Sequence, residues 1–357
     1  MNTTTATRPV TTARMPSFFN PDNAAKWDYR PAQASVFDEA VAWRGQAGLR
    51  PSASDRKKLR LLLIDAQKDF CFPEGTLYVG GRSGTGAIDD SRRTAEFIYR
   101  NLPLITSISP TLDTHIPFQI FSRSFWENED GSPVSANTII TSSDVEKGTC
   151  RPSLTAAGVL GVSPIWLTSE VLNYCRELEK GGKYQLFIWP EHCLLGSAGH
   201  NLVGVIEEAA LFHAIARGSQ TDFQIKGGNP LTENYSVLRP EVLMRHDGKP
   251  SGQKNVRFIE ALLNDDYVVI AGQAASHCVK SSIDDLLSEI VAKDPKLAQK
   301  VYVMQDCMSS VVIPDGQGGV IADFTPQAED AFTRFSNAGM HLVDSTTPID
   351  QWPDLVL

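Results

Sequence analysis

From residue 59 onward the chain alternates short apolar runs with amphipathic stretches, and this limits the possible folds more than any other feature. Residues 59–64, a stretch leading to Asp113, and residues 184–189, 222–226, 267–271, 300–305 and 341–343 read as strands. Residues 87–102, 167–180, 203–217, 255–263, 283–291 and 328–337 read as helices. Such alternation predicts an α/β fold with a mostly parallel sheet and helices on both faces. In sheets of that kind, ligands gather at the carboxyl ends of the strands.

Three segments stand outside the pattern. Residues 1–16 read as a disordered tail, although the first twenty residues are Thr-rich, carry Arg8 and Arg14 and hold no acid, as organelle-targeting peptides do. Residues 17–55 contain Phe18, Phe19, Trp27, Tyr29, Phe37 and Trp43, which predicts an ordered arm against the main body, 56–357, or against a neighbouring subunit. Residues 123–166 are rich in Ser, Thr, Gly and Pro and read as an insertion on the rim of the site, either a lid or interface element or a surface loop.

Composition narrows the function. No apolar run approaches the length of a membrane span. The net charge of −9 argues against phosphate-driven nucleic-acid binding and suits a soluble enzyme. Six scattered cysteines without a C-x-x-C pair point to a reducing compartment, the cytoplasm.

Polar groups fall where the strands should stop. Asp65 follows LLLI, Asp113 and His115 end a β-like stretch, Lys226 follows FQI, and Cys278 lies just beyond VVIAG at a strand-to-helix junction. Singly, each has an ordinary reading as a cap, a turn residue or a core thiol. Together they occupy the one edge where this architecture builds sites. A thiol needs a base or a positive neighbour to become a nucleophile. Asp65 can take its proton, Lys226 can lower its pKa, and the N–H groups of a helix beginning there can hold an oxyanion. Asp113 and His115, two apart on a strand, share a face. With His192 they would make a facial set suited to Zn²⁺, Fe²⁺ or Mn²⁺; the plain alternative is two hydrogen-bonded buried histidines.

The stretches 63-LIDAQKDFCFPEGTLYVGG-81, 113-DTH-115, 189-WPEHCLLGSAG-199, 225-IKGGNPLTENYS-236 and 272-GQAASHCV-279 occur in that order. Across residues 59–345 the chain resembles the isochorismatase-like cysteine hydrolase superfamily, most of all its nicotinamidase branch. The resemblance implies a Rossmann-like six-stranded sheet and an Asp–Lys–Cys triad at Asp65, Lys226 and Cys278. It implies metal ligands at Asp113, His115 and His192, with a divalent ion that is Zn²⁺ first and Fe²⁺ or Mn²⁺ otherwise. It also implies a cis peptide at Gln273–Ala274, oxyanion donors at Ala274 and Cys278, substrate walls at Phe70, Trp189 and Tyr235, and a homo-oligomer. The implied reaction is hydrolysis of a small planar carboxamide, nicotinamide first, through a thioester.

The chain departs from the family pattern at several points. Phe121 stands where some members have a further His, Gln273 stands where an aliphatic residue is usual, and the loop from Lys226 to Tyr235 is slightly long. Two other functions fit the same residues: hydrolysis of a ureide or carbamoyl compound such as biuret, or a non-catalytic binding module. His277 reads as orienting the turn, Cys71 and Cys193 as packing, and His200, His213, His246 and His341 as surface or core histidines.

Overall fold

The computed structural model describes residues 15–182 and 184–356. The expected tail lies almost wholly outside the described residues. Six parallel strands form the central sheet: β1 (Leu59–Ile64), β2 (Ser107–Asp113), β3 (Gln224–Lys226), β4 (Tyr267–Gly272), β5 (Val301–Met304) and β6 (His341–Val343). Their spatial order is β6-β5-β4-β1-β2-β3. The chain builds outward from β1 in one direction, then returns to β1's other side with β4. That reversal opens a crevice at the carboxyl ends of β1 and β4.

Helices α1 (Gln33–Gln46), α2 (Gly86–Arg100), α3 (Pro164–Gly181), α4 (Gly204–Arg217), α5 (Val256–Asn264), α6 (Lys280–Lys293) and α7 (Thr325–Asn337) complete the frame. Alternate residues of β1 serve opposite faces, as a two-residue period requires. Leu59, Leu61 and Leu63 pack with Phe97, Ile98, Ile206 and Phe212 of α2 and α4. Leu62 and Ile64 pack with Leu262, Ile283, Leu286 and Phe335 of α5, α6 and α7. Both faces are covered, so the strand reads as one continuous apolar run. No single described helix is long and apolar enough to cross a membrane.

The N-terminal segment lies on the main body. Phe18 and Phe19 pack on Tyr99 with ring centroids 6.2 and 5.0 Å apart, and Trp43 meets Phe212 at 6.0 Å. Tyr29 donates a hydrogen bond to the buried Glu208, which also accepts one from Tyr99 at 2.9 Å.

The reading of 184–189 as a strand of the sheet is corrected. Leu186–Phe187 pairs antiparallel with Ile139–Ile140 and Trp189 bridges Ser122, both away from the central sheet. Its apolar residues are satisfied in a third cluster instead. There Leu186, Ile188 and Trp189 join Phe125, Trp126, Leu167, Val171 and Tyr174. An apolar run of that length records that it must be buried, not against what. Much of this cluster hangs on α3. That helix is well delimited: Ser163 caps its first turn through Trp166 N, Pro164 opens it, and Gly182 at φ 65° closes it.

Candidate active site

The register of the sheet assembles the centre. Ile64 pairs with Gly272, and Asp113 pairs directly with Lys226. Asp65 follows Ile64, so the ends of β1, β2, β3 and β4 bring the polar groups to one edge. Asp65 takes a positive φ of 43°, which turns its carboxylate away from the strand direction. Thr111 secures this turn twice: its hydroxyl accepts from Asp65 N at 2.9 Å and donates to Asp65 Oδ1.

Lys226 is the hub. Its Nζ lies 2.9 Å from Asp65 Oδ2, 2.9 Å from Asp113 Oδ1, 2.9 Å from Asn234 O and 3.7 Å from Cys278 Sγ. All three side chains of the expected triad therefore converge. Burial opposes the charge on Lys226, but the two carboxylates outweigh it and hold the ammonium well above the usual lysine range. Burial raises Asp65 against the pull of Lys226. Burial also pushes the Cys278 thiol well up, and Lys226 does not reverse this. Lys226 does pull the thiol down, as expected, but burial outweighs it, and the Asp65 carboxylate beside Sγ is placed to receive its proton.

Cys278 sits in a single π turn, Ala275–Val279, that runs into α6. The peptide between Gln273 and Ala274 is cis. His277, next to the nucleophile candidate, is buried and held by its neighbours. Its ring stacks on Tyr184 at 5.3 Å, its Nδ1 meets Ser276 Oγ at 2.9 Å, and burial lowers its pKa to about 4.

The metal-ligand candidates adjoin this centre. The donor atoms of Asp113, His115 and His192 lie within 4.8 Å of one another. His115 Nε2 is 2.9 Å and His192 Nε2 3.7 Å from Asp113 Oδ2. The other ring nitrogens face backbone carbonyls: His192 Nδ1 is 2.7 Å from Pro190 O, and His115 Nδ1 is 3.3 Å from Gly227 O. That arrangement favours protons on Nδ1 and lone pairs on both Nε2 atoms, aimed at a carboxylate. Two such lone pairs facing an anion fit a bound cation. Gly227, at φ 84°, is needed here, because a Cβ would come within 2.6 Å of Asp113 Oδ1 and 2.8 Å of His115 Cε1.

His192 does not come from a sheet strand. It is delivered by a segment laid beside residues 115–122: His115 N donates to Cys193 O at 3.0 Å, and Trp189 N donates to Phe121 O at 3.0 Å. Phe121 packs its ring edge-on to His115, with the centroids 4.7 Å apart.

Phe70, Trp189 and Tyr235 line one pocket together with Cys278, Ala274 and the three metal-ligand candidates. The cavity is small, about 50 Å³. Trp189 Nε1 donates to Tyr235 Oη at 3.0 Å, Tyr235 donates to Glu233 Oε1 at 2.8 Å, and Tyr174 donates to Glu233 Oε2 at 3.0 Å. Burial pushes Glu233 up to about 8.

Sequence reasoning missed Glu233 and Thr111, which carry no signal in a single chain. Gln67 and Asp69 did carry one, inside D-x-Q-x-D-F. Gln67 binds both the N–H and the carbonyl of Asp113, at 2.7 and 2.8 Å, and Asp69 accepts from Cys193 N at 2.7 Å. The motif thus fixes the ligand-bearing backbone. Cys71 and Cys193 are buried, with thiols raised by burial.

No family model matches the chain. A curated nicotinamidase of Escherichia coli strain K12 is 29% identical over 161 residues, 43% of this chain. In that stretch the chain is similar to a nicotinamidase. The chain spans only 56% of the curated protein's length in that match. Among solved structures, a nicotinamidase/pyrazinamidase of Acinetobacter baumanii is 15% identical with a TM-score of 0.46, covering 82% of this chain and 99% of that one. Yeast nicotinamidase bound to the inhibitor nicotinaldehyde is 17% identical at 0.47, covering 80% and 99%. The pyrazinamidase of Pyrococcus horikoshii in complex with zinc is 17% identical at 0.42, also covering 80% and 99%.

Proposed function

We propose that the protein is a cysteine amidohydrolase acting on a small planar carboxamide, nicotinamide first. The observation that carries this reading is the single Lys226 ammonium in contact with Asp65, Asp113 and Cys278 behind an aromatic-walled pocket. In the proposed reaction Asp65 accepts the Cys278 proton, and sulfur bonds to the carbonyl carbon. The carbonyl π pair moves to oxygen, where the N–H groups of Ala274 and Cys278 receive it. The C–N bond then breaks as Asp65 returns the proton to nitrogen, releasing ammonia and leaving a thioester. Water, giving its proton to Asp65, adds to the thioester. The C–S bond breaks, the acid leaves and the thiol is restored. Lys226 compensates the charges on sulfur and carboxylate throughout.

Asp113, His115 and His192 would hold a divalent cation, Zn²⁺ first and Fe²⁺ or Mn²⁺ otherwise. Such an ion supplies a Lewis-acid site for a ring nitrogen of the substrate. Phe70, Trp189 and Tyr235 would sandwich the ring. We also take the protein to work as a homo-oligomer in a reducing compartment, the cytoplasm. All six cysteines are free, and Ile225 of the edge strand β3 and Phe223 just before it are exposed. Sedimentation reads the oligomeric state directly.

The test is ammonia release by metal-loaded protein across carboxamides and ureides. Nicotinamide is expected to be turned over, and Cys278→Ala is expected to lose at least about a thousandfold. Ammonia from biuret and none from nicotinamide would move the substrate to the ureides. Chelation is expected to stop turnover, with elemental analysis reporting the ion removed.

A further inference from the structure

Gln273 is an amide side chain in a site that packing alone would fill with carbon; it is 2% exposed. Both its ends are engaged. Nε2 donates to Asp90 Oδ2 at 2.9 Å, and Oε1 accepts from Ser309 N at 3.2 Å. Its backbone N–H donates to Ile64 O at 2.7 Å, at the end of β1. Asp90, on α2 and 3% exposed, also accepts from Ser309 Oγ at 2.6 Å and pairs with Arg93 at 2.8 Å. Ser309 closes the loop on the other side, since its carbonyl accepts from Ala275 N at 2.8 Å. Ala274, whose N–H is assigned to the oxyanion, is thus bracketed at 273 and at 275 by one hydrogen-bonded ring.

We propose that Asp90, Gln273 and Ser309 form a positioning clamp that fixes the Ala274 N–H for the developing oxyanion, with Gln273 as its central residue. None of the three touches substrate on this view; they act through the backbone. The argument from geometry is specific. A donor displaced by about 1 Å costs roughly a hundredfold in rate, and a buried amide is tolerated only when its hydrogen bonds are made. Here the amide oxygen is bonded to the Ser309 loop and the amide nitrogen to Asp90 of α2. Arg93 in turn neutralises Asp90, so the clamp is a satisfied network and not an unpaired buried charge.

This inference rests on the thiol chemistry proposed above, so its readout is binding and not turnover alone. An aromatic aldehyde adds the Cys278 S–H across its C=O, forming a C–S bond and an oxygen in the oxyanion position. The corresponding carboxylic acid binds the same pocket without such an adduct. Gln273→Leu is expected to weaken the aldehyde by roughly ten- to a hundredfold and to lower kcat in parallel. Affinity for the acid and KM should stay within about twofold, since ground-state contacts are untouched. Ser309→Ala removes only the hydroxyl contact to Asp90 and keeps the backbone bonds. It should show a smaller loss of the same kind, and it serves if Gln273→Leu does not fold. Asp90→Asn combined with Gln273→Leu should lose little more than Gln273→Leu alone. Equal aldehyde affinity in wild type and variants, or equal loss for aldehyde and acid, overturns the clamp while leaving amide turnover by the wild type to stand. A wild type that forms no aldehyde adduct overturns the clamp together with the thiol mechanism.

Discussion

Lys226 shows what a single residue must balance. Its ammonium is buried with two carboxylates at 2.9 Å, and Asp65 has no other cation among the ion pairs described. Removing one partner of a buried ion pair costs about 3–5 kcal/mol, because the remaining charge is stranded. Lys226→Met is therefore expected to be inactive and destabilised by about that amount in urea titrations. Adding Asp65→Asn to it should recover much of the stability, since one stranded charge is gone, and none of the activity. Recovery of ammonia release in the double variant would contradict the assignment of Asp65 as base. Asp65, Asp113, His115, Lys226 and Cys278 were legible as a group because side-chain type and position at or just beyond a strand end are written in the chain, whereas His192 was named from its motif alone. Thr111 and Glu233 were not, because a hydroxyl or carboxylate acquires its role from what the fold sets opposite it.

At the scale of elements, the junction after β4 is the tightest point. Gly272 pairs with Ile64 and takes φ 118°, and a Cβ there would run into the Ile64 backbone. Ala at this position combines an unfavourable φ with a backbone clash, so Gly272→Ala is expected to cost more than about 3 kcal/mol. The loss would be read as a fall in denaturation midpoint and failure of Cys278 to react with an aldehyde. The apolar runs of β1 and β4 announced these strands because both faces are buried. The run at 184–189 carried the same signal yet joined the third cluster, since a strand-length apolar segment does not state which surface will cover it.

For the whole molecule, acid stability follows from buried histidine. His213 of α4 is 1% exposed and its Nε2 lies 2.8 Å from Ile105 O, near Arg217 and Asp55. Burial lowers its pKa to about 4, whereas the unfolded chain titrates near 6.5. Between those values the unfolded state binds a proton that the folded state refuses. Stability attributable to His213 is therefore complete above pH 6.5 and is lost as pH falls toward 4, by up to about 3 kcal/mol. The difference in unfolding free energy between wild type and His213→Gln should shrink across that window. A difference that is constant with pH would show that the imidazole does not titrate on unfolding. His277 contributes with the same sign, for the same reason.

The sequence alone determined the layer architecture and the edge on which the chemistry gathers. Alternating periodicities specify strand and helix locally, and parallel strands bring all their carboxyl ends to one side. Only the tertiary structure decided how His192 reaches its partners, how Glu233 ties Tyr235 and Tyr174 together and how Ala274 is held. Those contacts join positions far apart in the chain, such as Asp90 and Gln273, 183 residues distant. A hydrogen bond of that kind has no local pattern to betray it, because its geometry exists only once helix, sheet and loop have packed.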